Sequence, residues 1–387
     1  MRVLFSCRPG FGHFHPLVPL ASALLEAGHG VRFACSPEML LSVQQSGFDA
    51  EAVGLTDAES RARRVEVPEF LTAMPSQLRS LAFPRVFADL EVPLRLQEMF
   101  EVAHRFKPEL IVHEMAEFAG PIVAASLGIP SANHSFGPLV AKETMLEAGD
   151  FAAKHWRNAG LRVPDRAGMY DGLYIDVCPP SLQETHLSSV AQVQPIRSVA
   201  FVDNSQGTVP VWIQDLGQRP VVTVTLGTVF NNRLDLYRTI IAGLNGLDLD
   251  GIVALGPRVD TAAFTTLPEN IRVFPWVPWN NLLEKTTLVI GHGGANSMLG
   301  PLSKGIPLVV IPLGADHFVN AARIAQAKAG VILELESITP MVVRDAVEQA
   351  LSPAVRASAQ RIANEIVAMP SPAEVVSILE RYWRRVF

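Results

Sequence analysis

The sequence predicts an α/β protein built from two doubly wound parallel sheets. Three observations carry that reading. Short β-branched runs alternate with amphipathic helical patterns along most of the chain, as strands covered on both faces do. The alternation begins twice, once near Met1 and again near Pro220. The chain has 387 residues, 49% of them hydrophobic, which is enough for two or three separate cores.

In the first half, Arg2-Val3-Leu4-Phe5 reads as a strand, followed by a Gly-rich turn and a helix from Pro16 to Ala27 that Gly28 ends. Val31 to Ala34 is the next strand. From about Asp57 to Lys107 a helical periodicity is broken by Pro68, Pro75, Pro84 and Pro93. That stretch is too long for a simple crossover and too apolar to be disordered, so it is expected to be an insertion capping the first domain. Leu110-Ile111-Val112 resumes the sheet, Ala116 to Leu127 reads as a helix stopped by Gly128, and Pro130 to Asn133 as a strand. The second half starts with a strand over Pro220 to Leu226 and a helix from Leu234 to Leu244. Strands are expected at Gly251 to Leu255, Ile271 to Phe274, Leu288 to Gly291 and Pro307 to Ile311. The polar, turn-rich stretch from Phe201 to Arg219 places a linker at 206–219 between a first domain, 1–205, and a second, 220–369. Pro370-Ser371-Pro372 then breaks the chain before a terminal amphipathic helix within 370–387.

Composition excludes several functions. Lys+Arg 32 against Asp+Glu 38 gives a net charge of -6, with no basic field to gather nucleic-acid phosphates. The longest apolar run, Ile306 to Leu313, is short and carries two prolines, so no membrane span is expected. Cys7, Cys35 and Cys178 have no paired spacing, and the N-terminus lacks the pattern of a signal peptide; both point to a reducing, cytoplasmic setting.

Four segments bear on chemistry. The turn Arg8-Pro9-Gly10-Phe11-Gly12-His13-Phe14-His15-Pro16 fails as a dinucleotide fingerprint, because its third glycine position is His15 and no acidic residue follows the Val31 strand. It instead displays His13 at the C-terminal edge of a strand, where ligands of such sheets bind; a helix-start histidine satisfied by backbone fits equally. Zinc at His13 and His15 is disfavoured, since no third ligand is near in sequence. Gly291-His292-Gly293-Gly294-Ala295-Asn296-Ser297 follows a strand and opens a helix, forming an anion seat with His292, Asn296 and Ser297 as added donors, or a Gly-rich turn with no ligand. Asp316 and His317, after the Pro307 strand, stand at the same edge for sugar hydroxyls, unless Asp316 is only an N-cap. Asp248-Leu249-Asp250 matches the metal-holding D-x-D of some sugar transferases but is read as a solvated turn entering a strand.

Together, Gly12-His13-x-x-Pro16 and the block from His292-Gly293-Gly294-x-x-Ser297 to Asp316-x-x-x-Asn320-Ala321 resemble the inverting nucleotide-sugar glycosyltransferases of the GT-B fold, specifically the bacterial enzymes that decorate antibiotics and other secondary metabolites. The resemblance implies two Rossmann-like domains facing across a cleft, an N-terminal one for acceptor and a C-terminal one for donor, with the last helix crossing back onto the first. It makes His13 the general base and an acidic residue after the Leu110 strand its partner, Glu114 first and Glu117 second. It assigns Gly12 to the donor, Gly227, Thr228, His292, Gly293, Gly294, Asn296 and Ser297 to its phosphates, Trp276 and Val277 to its base, and Asp316 and His317 to its sugar. Helix N–H groups would then stabilise the leaving group, so neither metal nor cofactor is implied.

Two departures from the family pattern lean the donor toward a thymidine diphosphate deoxysugar. Gly300 stands where many relatives carry a ribose-holding Glu, and His317 stands where they carry Gln. Phe70, Met74, Leu78, Phe83 and Phe136 are expected to line a cleft for an apolar aglycone, although residues of this kind more often pack inward. A UDP-hexose-dependent transferase, a sugar-nucleotide epimerase of the same fold and a turnover-free helper protein are the alternatives. A homodimer is left open.

Overall fold

Continuous burial of the β-branched runs on both faces accompanies two parallel sheets in the computed structural model, which describes residues 1–200, 209–256 and 259–386, with side chains to 384. The first contains β1 (Arg2–Ser6), β2 (Gly30–Cys35), β3 (Asp49–Ala52), β4 (Leu110–Glu114), β5 (Ser131–His134), β6 (Leu173–Asp176) and β7 (Val193–Pro195). Its order is β3-β2-β1-β4-β5-β6-β7. Val3, Leu4 and Phe5 of β1 are completely buried, because β1 lies between β2 and β4 with helices over both faces.

The second sheet contains β8 (Val221–Thr225), β9 (Asp250–Ala254), β10 (Ile271–Phe274), β11 (Leu288–Gly291), β12 (Leu308–Val310) and β13 (Gly330–Ile332), in the order β10-β9-β8-β11-β12-β13. In each sheet the winding reverses next to its first strand, between β1 and β4 and between β8 and β11. A crevice opens at such a reversal beyond the carboxyl ends of the strands, since the flanking connections leave in opposite directions.

The chain divides into two compact units, one of residues 1–178, 183–203 and 369–387 and one of 179–182 and 204–368. The sequence placed 179–182 in the first domain, but Ser181 donates its backbone N–H to Glu365 at 2.9 Å within the second unit. Residues 201–208 of the expected linker region lie outside the described residues, and beyond them the chain forms a short helix, Val211–Gln214. The terminal helix, Pro372–Val386, belongs to the first unit and packs on the helix Val18–Glu26. Glu380 there pairs with His29 at 3.1 Å, and the Tyr382 hydroxyl donates to the Ser131 carbonyl at 3.1 Å. Among the described residues no single helix is long and apolar enough to cross a membrane.

The proline-interrupted stretch is helical almost throughout. A capping box at Thr56 and Glu59 starts the helix Asp57–Arg63, and 3-10 turns begin at Pro68 and Pro75. Nine residues, Ala82–Leu90, form a π-helix that runs into the helix Val92–Phe106, whose Pro93 sits in the first turn and breaks nothing. Two expected boundaries move. The first turn is already helical at Phe11–Phe14, and the helix expected from Ala116 starts at Ala119, because residues after β4 are held by Glu114 and Glu117.

Candidate active site

His13 is carried by the turn after β1 and Glu114 ends β4, so the reversal of the first sheet places them side by side. Gly10 allows the turn: its φ is +111°, a conformation glycine tolerates, and its carbonyl accepts the backbone N–H of His13 at 3.1 Å. His13 Nδ1 lies 3.0 Å from Glu114 Oε1. The imidazole is a quarter exposed while the carboxylate is buried, at 25% and 1%. Burial pushes the Glu114 pKa up, but the His13 pair, the Ala116 N–H at 2.6 Å and the charge of Arg8 outweigh it and hold the group below its ordinary value. Glu114 is thus ionised at neutral pH and accepts from Nδ1–H, leaving the Nε2 lone pair of His13 free to take a proton. The Phe136 ring meets the imidazole edge-on at 5.1 Å and limits its rotation.

Glu117 does not share this role. It pairs with Arg95 at 3.1 Å and accepts the backbone N–H groups of Ala119 and Gly120, both at 2.9 Å. Sequence reading missed Arg8, whose backbone N–H donates to Glu114 Oε1 at 3.2 Å. The only signal for it was its position two residues after the end of β1, at the start of the Gly-rich turn.

Of the residues expected to contact the acceptor, Phe83 is buried in the core against Phe118 and is corrected to a packing residue. Phe70, Leu78 and Phe136 are half-buried and Met74 is exposed. Phe11, exposed beside His13 with its ring tilted against His15 at 5.1 Å, was not anticipated. Gly12 has positive φ nowhere and no neighbour that a Cβ would touch.

In the second unit, Gly227 and Thr228 follow β8, His292 to Ser297 follow β11, and Asp316 and His317 follow β12, three adjacent strands at the reversal of that sheet. His292 is the centre of this group. A Cβ at Gly227 would stand 2.6 Å from its Cε1 and one at Gly294 2.5 Å from its Nε2, so both glycines make room for the ring. Burial first, then the charge of the neighbouring His317, lowers the His292 pKa to about 3. It is therefore a neutral group at pH 7, with Nδ1 buried and unpartnered and the Thr225 backbone as a hydrogen-bond partner.

His317 is more enclosed than its expected role at an open edge suggested. Its ring packs on His292 at 4.5 Å, and its Nδ1 accepts the backbone N–H groups of Leu313 and Gly314 at 3.2 and 3.1 Å. Only Nε2–H remains to donate. The anion seat is also narrower than expected. The helix Ala295–Leu302 starts at the turn, but its Ala295 N–H already donates to Asp316 Oδ2 at 3.2 Å. Asp316 precedes the helix His317–Gln326 without capping it through its side chain, so the plain N-cap reading does not hold. Asn320, inside the sequence block but not singled out, donates Nδ2 to both Asp316 Oδ2 and the Gly293 carbonyl at 2.7 Å. Ala315, at φ +50°, is the left-handed residue that turns the chain into this arrangement. Asn296 is exposed and Ser297 half-exposed, free to meet a ligand, and Gly293 at φ +84° has no room for a Cβ against Val310.

Trp276 is 54% exposed and Val277 buried, a flat ring beside a fixed backbone. Gly300 faces inward: a Cβ there would lie 3.5 Å from Trp279 Nε1 and 3.6 Å from Leu283 Cδ1. Asp248 and Asp250 stand at the opposite, N-terminal end of β9, where Asp250 pairs with Arg219. Among the described residues no three His, Cys, Asp or Glu side chains gather as metal ligands.

The N-terminal family profile described as erythromycin biosynthesis protein CIII-like matches residues 22–227, and its C-terminal counterpart matches residues 238–382. The chain is 29% identical to 3-alpha-mycarosylerythronolide B desosaminyl transferase of Saccharopolyspora erythraea, over 98% of both proteins. It is 32% identical to L-demethylnoviosyl transferase of Streptomyces niveus, over 97% of this chain and 96% of that one. Among solved structures, spinosyn rhamnosyltransferase SpnG complexed with thymidine diphosphate matches with a TM-score of 0.81 at 26% identity, over 98% of this chain and 100% of that one. The glycosyltransferase SnogD from Streptomyces nogalater matches with a TM-score of 0.78 at 27% identity, over 99% of each chain.

Proposed function

This chain belongs to the erythromycin biosynthesis protein CIII-like glycosyltransferases of antibiotic-type biosynthesis and has their GT-B fold, and we propose that it moves a deoxysugar from thymidine diphosphate to a hydroxyl of an apolar natural-product aglycone, inverting the anomeric centre. The observation that carries the mechanism is the His13 Nδ1 to Glu114 Oε1 pair at 3.0 Å.

The acceptor O–H donates its proton to His13 Nε2 as its oxygen attacks C1 of the sugar. The bond from C1 to the diphosphate oxygen breaks, and the diphosphate leaves with the electron pair. Glu114 stabilises the imidazolium formed, and one displacement at C1 inverts its configuration. Leaving-group charge is met by the first-turn N–H groups of the helix Ala295–Leu302 that follow the Ala295 N–H, together with the Asn296 and Ser297 side chains. His292, neutral at pH 7, contributes a dipole rather than a cation.

The thymidine preference is supported by Gly300, which has no side chain to offer the ribose hydroxyls. The complex of SpnG with thymidine diphosphate supports the same donor. The acceptor is read from half-buried Phe70, Leu78 and Phe136 and exposed Met74, and its apolar character from relatives named for erythronolide and spinosyn substrates.

The test runs the reaction backward. The protein is incubated with a panel of macrolide and polyketide glycosides plus excess TDP or UDP, and nucleotide sugars are sought by mass spectrometry. TDP-sugar release from at least one glycoside is expected, with UDP at least about tenfold less effective. Preference for UDP would overturn the donor assignment, and release from none of the panel would count against the acceptor class.

A further inference from the structure

We infer that Glu91 is a positioning residue for the proton-accepting pair, acting through Arg8, so that the inserted segment is part of the catalytic assembly as well as a cap over the acceptor side. The proposal rests on the reading of His13 and Glu114 given above.

Five buried charged groups meet beneath the His13 turn: Arg8, Glu91, Arg95, Glu114 and Glu117. Each guanidinium has a carboxylate of its own. Arg95 is taken by Glu117 at 3.1 Å, and Arg8 by Glu91, with Nη1 on Oε2 and Nη2 3.2 Å from Oε1. Glu114 is the carboxylate left over, and it is the one that reaches His13.

Arg8 is the residue through which this division is enforced. Its backbone N–H holds Glu114, while its side chain is gripped by three parts of the insertion. Glu91 follows the π-helix, Ser60 of the helix Asp57–Arg63 lies 3.4 Å from Nη2, and the Phe87 ring of the π-helix lies 3.5 Å from the guanidinium carbon. Ser60 in turn donates to Glu91 Oε1 at 2.5 Å. Arg8, Ser60 and Glu91 are 4%, 1% and 3% exposed, so water cannot substitute for a lost partner. Without the Glu91 charge, the Arg8 guanidinium, whose charge already acts on Glu114, is left to compete with His13 for that carboxylate.

The other titratable or charged groups around the pair are Cys7 before the turn and His15 on it, Cys35 on β2, His113 on β4 and Glu117 after it, His134 opposite Glu114 on β5, Arg95, and Arg63 and Arg64 of the insertion. None of them changes in the variants used for the test.

The test is proton NMR titration of the His13 imidazole in the full chain, its resonance assigned by its loss in His13→Asn. In Glu91→Gln the His13 midpoint is expected to fall by about half a pH unit or more, because an uncompensated cation now stands beside it. In Arg8→Gln/Glu91→Gln no buried charge is orphaned and the cation nearest Glu114 is gone, so the midpoint is expected to rise above that of the unaltered protein. If Glu91→Gln does not fold, the double variant decides alone. A midpoint unchanged in the folded variants, or displaced the other way, overturns the proposal. The titration needs no turnover, so a protein that shows these shifts yet transfers no sugar would overturn the functional reading and not this one.

Discussion

At Glu114, desolvation pushes the carboxyl pKa up, and three N–H donors together with the Arg8 charge bring it below its ordinary value. His134, its cross-strand neighbour on β5, shows desolvation winning. Its Nδ1 bonds to the Ser135 carbonyl at 2.7 Å, its Nε2 is buried without a partner, and burial lowers its pKa to about 4. Such a histidine is lowered below its unfolded value near 6.5, so the unfolded chain takes up a proton that the fold refuses between those two values. Stability is therefore full above about pH 6.5 and falls toward pH 4, by up to roughly 3 kcal/mol. His134→Gln is expected to flatten that slope in urea unfolding curves recorded across the same range; an unchanged slope would show that the group does not titrate with folding. At this scale the placement of His13 at a strand end was legible in sequence, while its role as a base came only from the family resemblance. The Arg8 to Glu91 pair was not, because the partners are 83 residues apart and nothing local marks buried charges that meet only after folding.

Among the elements, the central strands were legible because β1, β4, β8 and β11 are apolar runs buried on both faces. The missed strands are marginal for physical reasons. β3 is Asp-Ala-Glu-Ala at a sheet edge, β7 and β13 are three residues each, and β6 carries Tyr and Asp in a run of four. The turn at Gly10 to Pro16 misled in the opposite sense, since two glycines and a proline suggested loop where Phe11–Phe14 is helical. The glycines around His292 were visible in sequence, but the reason for two of them was not. Gly294 has an ordinary backbone, φ -60° and ψ 147°, and is required by the ring at 2.5 Å rather than by conformation. Gly294→Ala is thus expected to keep the fold and displace the imidazole, at a cost of about 1–3 kcal/mol. TDP affinity measured by calorimetry should fall about tenfold or more, while the His13 titration is unchanged. Wild-type affinity would mean the His292 ring does not shape the donor seat.

For the whole molecule, each compact unit brings its chemistry to the reversal point of its own sheet: His13 and Glu114 between β1 and β4, and Gly227 to His317 across β8, β11 and β12. The doubled βα pattern made this architecture readable, because ligands of doubly wound sheets collect at that point whatever the ligand. What the pattern did not convey was that Asp316 already sits on the Ala295 N–H, since that bond joins residues of different elements. The central claim is that His13 accepts the proton of the attacking hydroxyl and takes no part in holding the nucleotide. It is tested most directly by the rate of TDP-sugar formation from a competent glycoside with His13→Asn, alongside TDP affinity of the same variant. The account predicts a rate lower by about 10²–10⁴-fold with TDP affinity unchanged. A rate within about threefold of the unaltered protein would contradict it, because a general base contributes far more than that.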